Sequence, residues 1–266
     1  MTVQAIPASE ACYTSAMDAQ RTGSKSAPLG RVAVVGRGRM GQAIATALAR
    51  SGIDVDGPLG RGASAADADV VLLCVPDAQI EAAAALIAPG RLVGHCSGAT
   101  TLEPLEPHEA FSIHPLMTVV DSDARFEGAG CVIAAATERG LGVAAAVARA
   151  LGMRPTVLPD TDRALYHAAA SMASNYMVTL AGAAERLAES VGIDRALLIP
   201  LVRAAIDNWA AVGAERALTG PIARADEATT AQQRRAVAER APELLALWDA
   251  LAAETQTLAG SRRGRR

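Results

Sequence analysis

Lysine is almost absent: Lys25 is the one lysine among 25 basic residues in a chain of 266, and it stands in a polar stretch ahead of the first apolar segment. Chemistry that depends on a lysine amine is therefore disfavoured. Cysteine is sparse, and Cys12, Cys74, Cys96 and Cys131 lie too far apart to form a metal-ligand spacing, so no metal site is expected and the four read as reduced, small apolar residues. Long hydrophobic runs are missing too. The alanine-rich stretches are broken by Arg, Asp or Glu well short of the ~20 residues that a membrane span needs, and Met1 to Gln20 shows no basic start followed by an apolar block. A cytoplasmic location with no membrane partner is expected. Nor is there a basic surface signature. The formal net charge is -3, and the closing Arg262, Arg263, Arg265 and Arg266 read as a solvated terminus, so no nucleic-acid partner is expected.

What remains has the composition of an ordinary globular protein, with 51% hydrophobic and 20% charged residues. Its length suits two compact units. Residues 1–29 carry no hydrophobic period and read as a mobile tail. Residues 30–159 alternate short apolar runs with helical patterns. Strands are predicted at 32–35, 53–56, 68–75, 91–96, 110–114, 131–135 and 155–158, with helices at 40–50, 78–87 and 143–151. That alternation predicts an α/β fold, a doubly wound and mostly parallel sheet of the Rossmann kind. From Asp160 the period turns purely helical. One long helix is predicted to start at Asp160 or Thr161 and stop near Gly192, followed by helices at 194–212 (broken or begun by Pro200), 229–239 and 242–258. Residues 160–266 thus read as an all-α substrate or dimerisation domain.

Between the first strand and the first helix, Gly36, Gly38 and Gly41 stand in GxGxxG spacing. In that setting the first glycine permits a tight turn, the second lets the backbone approach a pyrophosphate, and the third allows close packing of helix on strand. The loop Gly36-Arg37-Gly38-Arg39-Met40-Gly41 is thus the predicted dinucleotide cradle, with the phosphates at the N-terminus of the helix. Arg61 falls where the turn after the second strand should meet the adenosine ribose, and Arg37 and Arg39 add positive charge. A 2′-phosphate would gain charge-assisted hydrogen bonds there, which favours NADP. NAD is the alternative, with Asp56 as the acid on the ribose.

Several strings go further. Val70-Val-Leu-Leu-Cys-Val-Pro-Asp77, Ser97-Gly-Ala99 and the helical half resemble the 6-phosphogluconate dehydrogenase-like clan. Its members include ketopantoate reductase, pyrroline-5-carboxylate reductase and the deazaflavin-dependent NADP reductase. Gly94-His-Cys-Ser-Gly-Ala99, Ser112-Ile-His-Pro-Leu116, Tyr166-His167, Ser174-Asn-Tyr176 and Leu218-Thr-Gly-Pro-Ile-Ala-Arg224 carry a narrower likeness. Within that clan they make the sequence most similar to a family that joins a Rossmann-like domain to a C-terminal helical domain of unknown function, and the resemblance runs from residue 31 to about 255. It implies the two-domain fold and an NADP-type cofactor without fixing a substrate. It also implies a lysine and an asparagine on the first long helix, at positions that match Ser171 and Asn175 here, so the lysine is replaced. A second departure follows Arg224, where Gly-Asp is usual and this chain has Ala225-Asp226.

Val75, Pro76 and Asp77 close one strand, and Ser97 and Gly98 follow another, at the sheet edge where a nicotinamide should lie. His114 is predicted at the C-terminal end of its strand, and His167, Ser171 and Asn175 recur at i, i+4 and i+8 on one helix face. A hydride acceptor needs a donor for its developing negative charge and a proton, and histidine can supply both near neutral pH. His114 and His167 are accordingly the acid candidates, with Ser171 and Asn175 as orienting donors; packing is the competing role for either histidine, and His95 and His108 rank below them. Thr219 and Arg224 could bind an anionic group or a neighbouring subunit, while Arg224 and Asp226 could instead pair to close their loop. The expected function is an NADP-dependent reduction of a small carbonyl or imine compound held between the sheet edge and the long helix. The alternatives are a dinucleotide-binding regulatory or scaffolding protein without turnover and, by clan analogy alone, a substitute for ketopantoate reductase. Apolar positions such as Leu197, Leu198, Leu201 and Val202 suggest a homodimer through the helical domain.

Overall fold

The computed structural model describes residues 29–264. The predicted tail, with Cys12 and Lys25, and the last two arginines lie outside these residues, except that Leu29, assigned to the tail from the sequence, is buried in the core. The chain divides into two compact units, one up to Ser171 and one from Met172.

The first unit is built on a seven-stranded sheet: β1 (Arg31–Val35), β2 (Asp54–Leu59), β3 (Val70–Leu73), β4 (Leu92–His95), β5 (Glu109–Leu116), β6 (Gly130–Ala135) and β7 (Arg154–Val157), in the order β2-β1-β3-β4-β5-β6-β7. Strands β1 to β5 run parallel, so their C-terminal ends share one edge. β6 returns antiparallel to β5, and β7 runs parallel to β6. The loop of residues 117–129 between β5 and β6 contains no helix to carry the chain back across the sheet, and an antiparallel return is the pairing such a link permits.

The central strands are buried on both faces, which is why they read as unbroken apolar runs. On one face, α1 (Arg39–Arg50) and α3 (Glu138–Ala150) pack against Val32, Val34, Phe111 and Ile113. On the other, α2 (Ile80–Ala84) and Leu105 cover Ala33, Val71 and Val93. In α1 the buried Gly41, Ala43, Ile44, Ala45 and Leu48 form one stripe at helical spacing. The last helix of this unit is α4 (Arg163–Ser171), entered through a 3-10 turn at Asp160–Asp162.

Several elements depart from the sequence reading. β2 continues through Gly57-Pro58, read as a turn, because it is an edge strand and its proline withholds an N–H from a side that has no neighbour. The helix predicted at 78–87 is a 3-10 turn at Asp77–Gln79 followed by the short α2. β5 reaches Leu116, so His114 lies inside the strand rather than at its end. α3 starts at Glu138, where Thr137 caps it by accepting from the Gly140 N–H at 3.0 Å.

The second unit is helical. It begins with a π-helical turn at Met172–Tyr176 that interrupts the single helix predicted from Asp160. α5 (Met177–Glu189), α6 (Arg195–Val212), α7 (Ala214–Ala217), α8 (Glu227–Arg240) and α9 (Leu245–Gly264) follow. α6 is capped by Asp194 and runs through Pro200 instead of breaking there. Ala196 and Pro200 are both exposed, so solvent reaches the carbonyl that the proline leaves unpaired. A small core joins Ala183, Val237, Ala241 and Leu244 to Leu187 and Trp248.

Candidate functional site

Two of the three loop glycines are accounted for by packing within the protein. A Cβ on Gly36, whose φ is +130°, would stand 2.2 Å from the Cys74 carbonyl oxygen, and one on Gly41 would stand 1.9 Å from that of Gly36. Gly38 differs: among the described residues nothing lies within 4 Å of the position its Cβ would take. It is the N-cap of α1, with extended backbone and no side-chain cap, and the first turn of the helix holds no acidic residue. The N–H groups of the first turn of this twelve-residue helix thus have no side-chain cap among the described residues, and the space beside Gly38 is open.

Beside this loop the Arg37 guanidinium lies over Gly60, with Cζ 3.4 Å from the position of a Cβ there, and Gln42 Nε2 donates to the Arg37 carbonyl at 2.8 Å. Arg61 follows immediately and is exposed. Arg37 and Arg61 pair with no carboxylate among the described residues. Arg39, the first residue of α1 and directly before Met40, reaches the Val120 carbonyl at 3.4 Å. Asp56 lies within β2, opposite Ala33, and the strand runs on to Leu59 before the turn.

Along the same edge, the turns after β3 and β4 are tied together. Past Val75 and Pro76, Asp77 Oδ2 accepts from Ser97 Oγ at 2.7 Å, and Ser97 Oγ accepts from the N–H groups of Ala99 and Thr100 at 3.1 and 2.9 Å. Gly98 is held between two imidazoles. Its Cβ would stand 2.6 Å from His114 Cε1, 2.7 Å from His167 Cδ2 and 2.8 Å from His114 Nε2. β4 pairs with β5 only as far as His95 opposite Ser112, so His114 projects beyond the end of β4. The two predicted histidines thus come together, with ring centroids 5.9 Å apart.

His114 Nδ1 lies 2.5 Å from the Tyr166 hydroxyl. Burial, the neighbouring His167 and the Arg163 charge push the His114 pKa down to about 4, so the ring is neutral at physiological pH. Burial pushes the Tyr166 phenol far up, so it keeps its proton. His95 and His108 are packing residues by comparison. His95 is fully buried, its Nδ1 accepts from the Ser97 N–H at 3.1 Å and its Nε2 meets the Thr101 carbonyl at 3.0 Å; burial lowers its pKa as well. His108 Nε2 meets the Ala84 carbonyl at 3.0 Å.

Beneath the site lies a charge that was not singled out from the sequence. Arg163 is 2% exposed, and its guanidinium donates to Asp160 Oδ1 at 2.9 Å, to the Ser97 carbonyl at 3.2 Å and to Ser112 Oγ at 2.6 Å. Asp160 in turn accepts from the Leu102 N–H at 3.0 Å. The signal was present: an arginine in the first turn of a helix opposes the macrodipole unless an acid answers it, and Asp160 precedes it by three.

Ser171 ends α4 in the first unit. Asn175 falls in the second unit and within the π turn, where the 3.6-residue repeat behind its predicted face does not hold. There it accepts from Ser174 Oγ at 2.7 Å. The suggested Arg224–Asp226 ion pair is not formed. Asp226 caps α8 instead, accepting from the Thr229 N–H at 3.0 Å and its hydroxyl at 2.7 Å, and these bonds hold its carboxyl below the ordinary range.

Solved structures with the same architecture are numerous. A provisionally named NADP oxidoreductase from Bacteroides fragilis aligns at a TM-score of 0.72 with 18% identity, over 86% of this chain and 98% of its own. A protein from Thermotoga maritima aligns at 0.73 with 24% identity, over 87% and 99%. The pyrroline carboxylate reductase of Plasmodium falciparum, solved with NADP bound, aligns at 0.56 with 11% identity, over 88% and 100%. At these identities the likeness establishes the fold: a Rossmann-type α/β unit followed by helices. No curated protein sequence matches the chain. At the sequence level, residues 129–255 match the family model described as a domain of unknown function, DUF2520.

Proposed function

We propose that the protein is an NADP-dependent oxidoreductase that reduces a small carbonyl or imine compound at the edge formed by Gly38, Asp77, Ser97, Gly98, His114 and His167. The observation that carries this reading is Gly38: its missing side chain relieves no clash with the described residues, yet it sits at an uncapped helix N-terminus, where a pyrophosphate would need the room. Arg37 and Arg61 flank the turn after β2 with no carboxylate among the described residues to neutralise them, which suits a 2′-phosphate. β2 runs past Asp56, so the turn presents arginine rather than an acid. When bound, the dinucleotide supplies the hydride. The residues of this chain supply hydrogen bonds and a proton from His114 and His167, with Asp77 and Ser97 shaping the floor.

Titration calorimetry tests the cofactor. NADPH should bind more tightly than NADH, and Arg61→Ala and Arg37→Ala should each weaken NADPH binding by roughly 1.5–3 kcal/mol while leaving NADH nearly unchanged. Equal affinities for the two cofactors, insensitive to both changes, would sink the assignment. A screen of keto acids and imines with NADPH then tests turnover. Ser171, at the position where the resemblance implies a lysine, favours a second reading, a dinucleotide-binding regulator or scaffold. Tight binding with no substrate turned over across the screen would select it.

We also propose a homodimer through the helical unit, because α6 buries none of its eighteen residues and leaves Leu197, Leu201 and Trp209 exposed.

A further inference from the structure

His95 has both ring nitrogens occupied, Nδ1 by the Ser97 N–H and Nε2 by the Thr101 carbonyl. His114 is placed differently. Its Nδ1 meets the Tyr166 hydroxyl, whereas its Nε2 has no protein partner among the described residues and faces the space that Gly98 leaves by having no side chain. A methyl group on Gly98 would stand against that nitrogen; glycine keeps it within reach of a ligand.

The short contact could be made with the proton on either side. If Nδ1 carried it, the phenol would act as acceptor and its own O–H would be the donor left without a partner among the described residues, whereas with the proton on Nε2 the donor left over is the one that faces the open space at Gly98. A phenol is also the better donor, since its oxygen lone pair is drawn into the ring. Tyr166 O–H therefore donates to a bare Nδ1, and the one proton of the neutral imidazole stands on Nε2.

We propose that Tyr166 is a positioning residue for the reduction: its hydroxyl fixes His114 as the Nε2–H tautomer and aims that N–H at the carbonyl oxygen or imine nitrogen of the substrate. The inference rests on the oxidoreductase reading above and adds a role for a neutral histidine. A neutral imidazole is a competent hydrogen-bond donor to negative charge developing on the substrate, and it leaves delivery of the proton to His167. The groups that set its protonation are Tyr166, His167 and Arg163 on α4 or its first turn, His95 on β4, and Asp77 after β3.

The chain has four histidines, so long-range proton–nitrogen correlation NMR on protein labelled with 15N-histidine resolves each ring, with His114→Gln assigning its signals. In the wild type, His114 should show one proton, on Nε2. In Tyr166→Phe it should show a mixture of tautomers and an upward shift of its pKa, because the bond that favoured the neutral ring is gone. The His95 signals should stay in place and report an intact fold. With a substrate from the NADPH screen, Tyr166→Phe should lower kcat roughly tenfold to a hundredfold, less than the ~10²–10³ for deleting an oxyanion donor outright, and leave NADPH affinity unchanged. A wild-type proton on Nδ1 would overturn the proposal, as would a variant with unaltered His114 signals or unaltered kcat. The tautomer measurement needs no turnover, so a fixed Nε2–H in a protein that reduces nothing would count against the oxidoreductase reading instead.

Discussion

Ala225 adopts a φ of +58°, in the left-handed region, at the position where the family resemblance places glycine. The backbone has kept the glycine conformation without the glycine, because Asp226 must be turned to cap α8. An L-residue there costs about 1–2 kcal/mol, against ~0.4–1 kcal/mol of extra unfolded-state freedom that glycine would bring. Ala225→Gly should therefore stabilise the protein by about 0.5–1 kcal/mol, read from the shift of the urea midpoint; a loss of stability would show that the turn is not strained. At this scale the sequence was legible wherever a residue type has a steric meaning. Gly36 and Gly41 are required by atoms beside them, and the departure at Ala225 was visible as a departure. The Tyr166–His114 contact was not legible, because it joins residues 52 apart in sequence and depends on how far β5 projects beyond β4.

Arg163 acts at the scale of elements. Its three hydrogen bonds join the start of α4 to the turn after β4 and to β5, fixing the helix that carries Tyr166 and His167 to the strand that carries His114. Removing one partner of a buried pair typically costs ~3–5 kcal/mol because the other charge is left behind. Asp160 is partly exposed, so Arg163→Met should cost about 3 kcal/mol in urea denaturation. Arg163→Lys should rescue little of it, since a single ammonium cannot follow three fixed directions. A loss below ~1 kcal/mol for the Met variant would mean that packing, not the network, holds the helix. The alternation of strands and helices was readable from periodicity, but the ends of elements were decided by partners. β5 extends because β6 pairs with it to Leu116, and the helix from Asp160 is interrupted by a π turn that no hydrophobic period marks.

For the whole molecule, the exposed apolar residues of α6 and its neighbours make association the first property to measure. Light scattering at micromolar concentration should give twice the chain mass, and Leu197→Glu combined with Leu201→Glu should halve it without loss of helical circular dichroism. A wild-type monomer would refute the dimer. The sheet offers no competing route, for a reason that lies in its two outermost strands. β2 and β7 form the rims of the sheet, and each carries a proline, Pro58 and Pro155. An incoming strand would meet a missing donor on either rim and, along β2, the carboxylates of Asp54 and Asp56 as well. Strand addition, the usual way in which open sheets recruit further chains or seed fibres, is thus blocked at both margins.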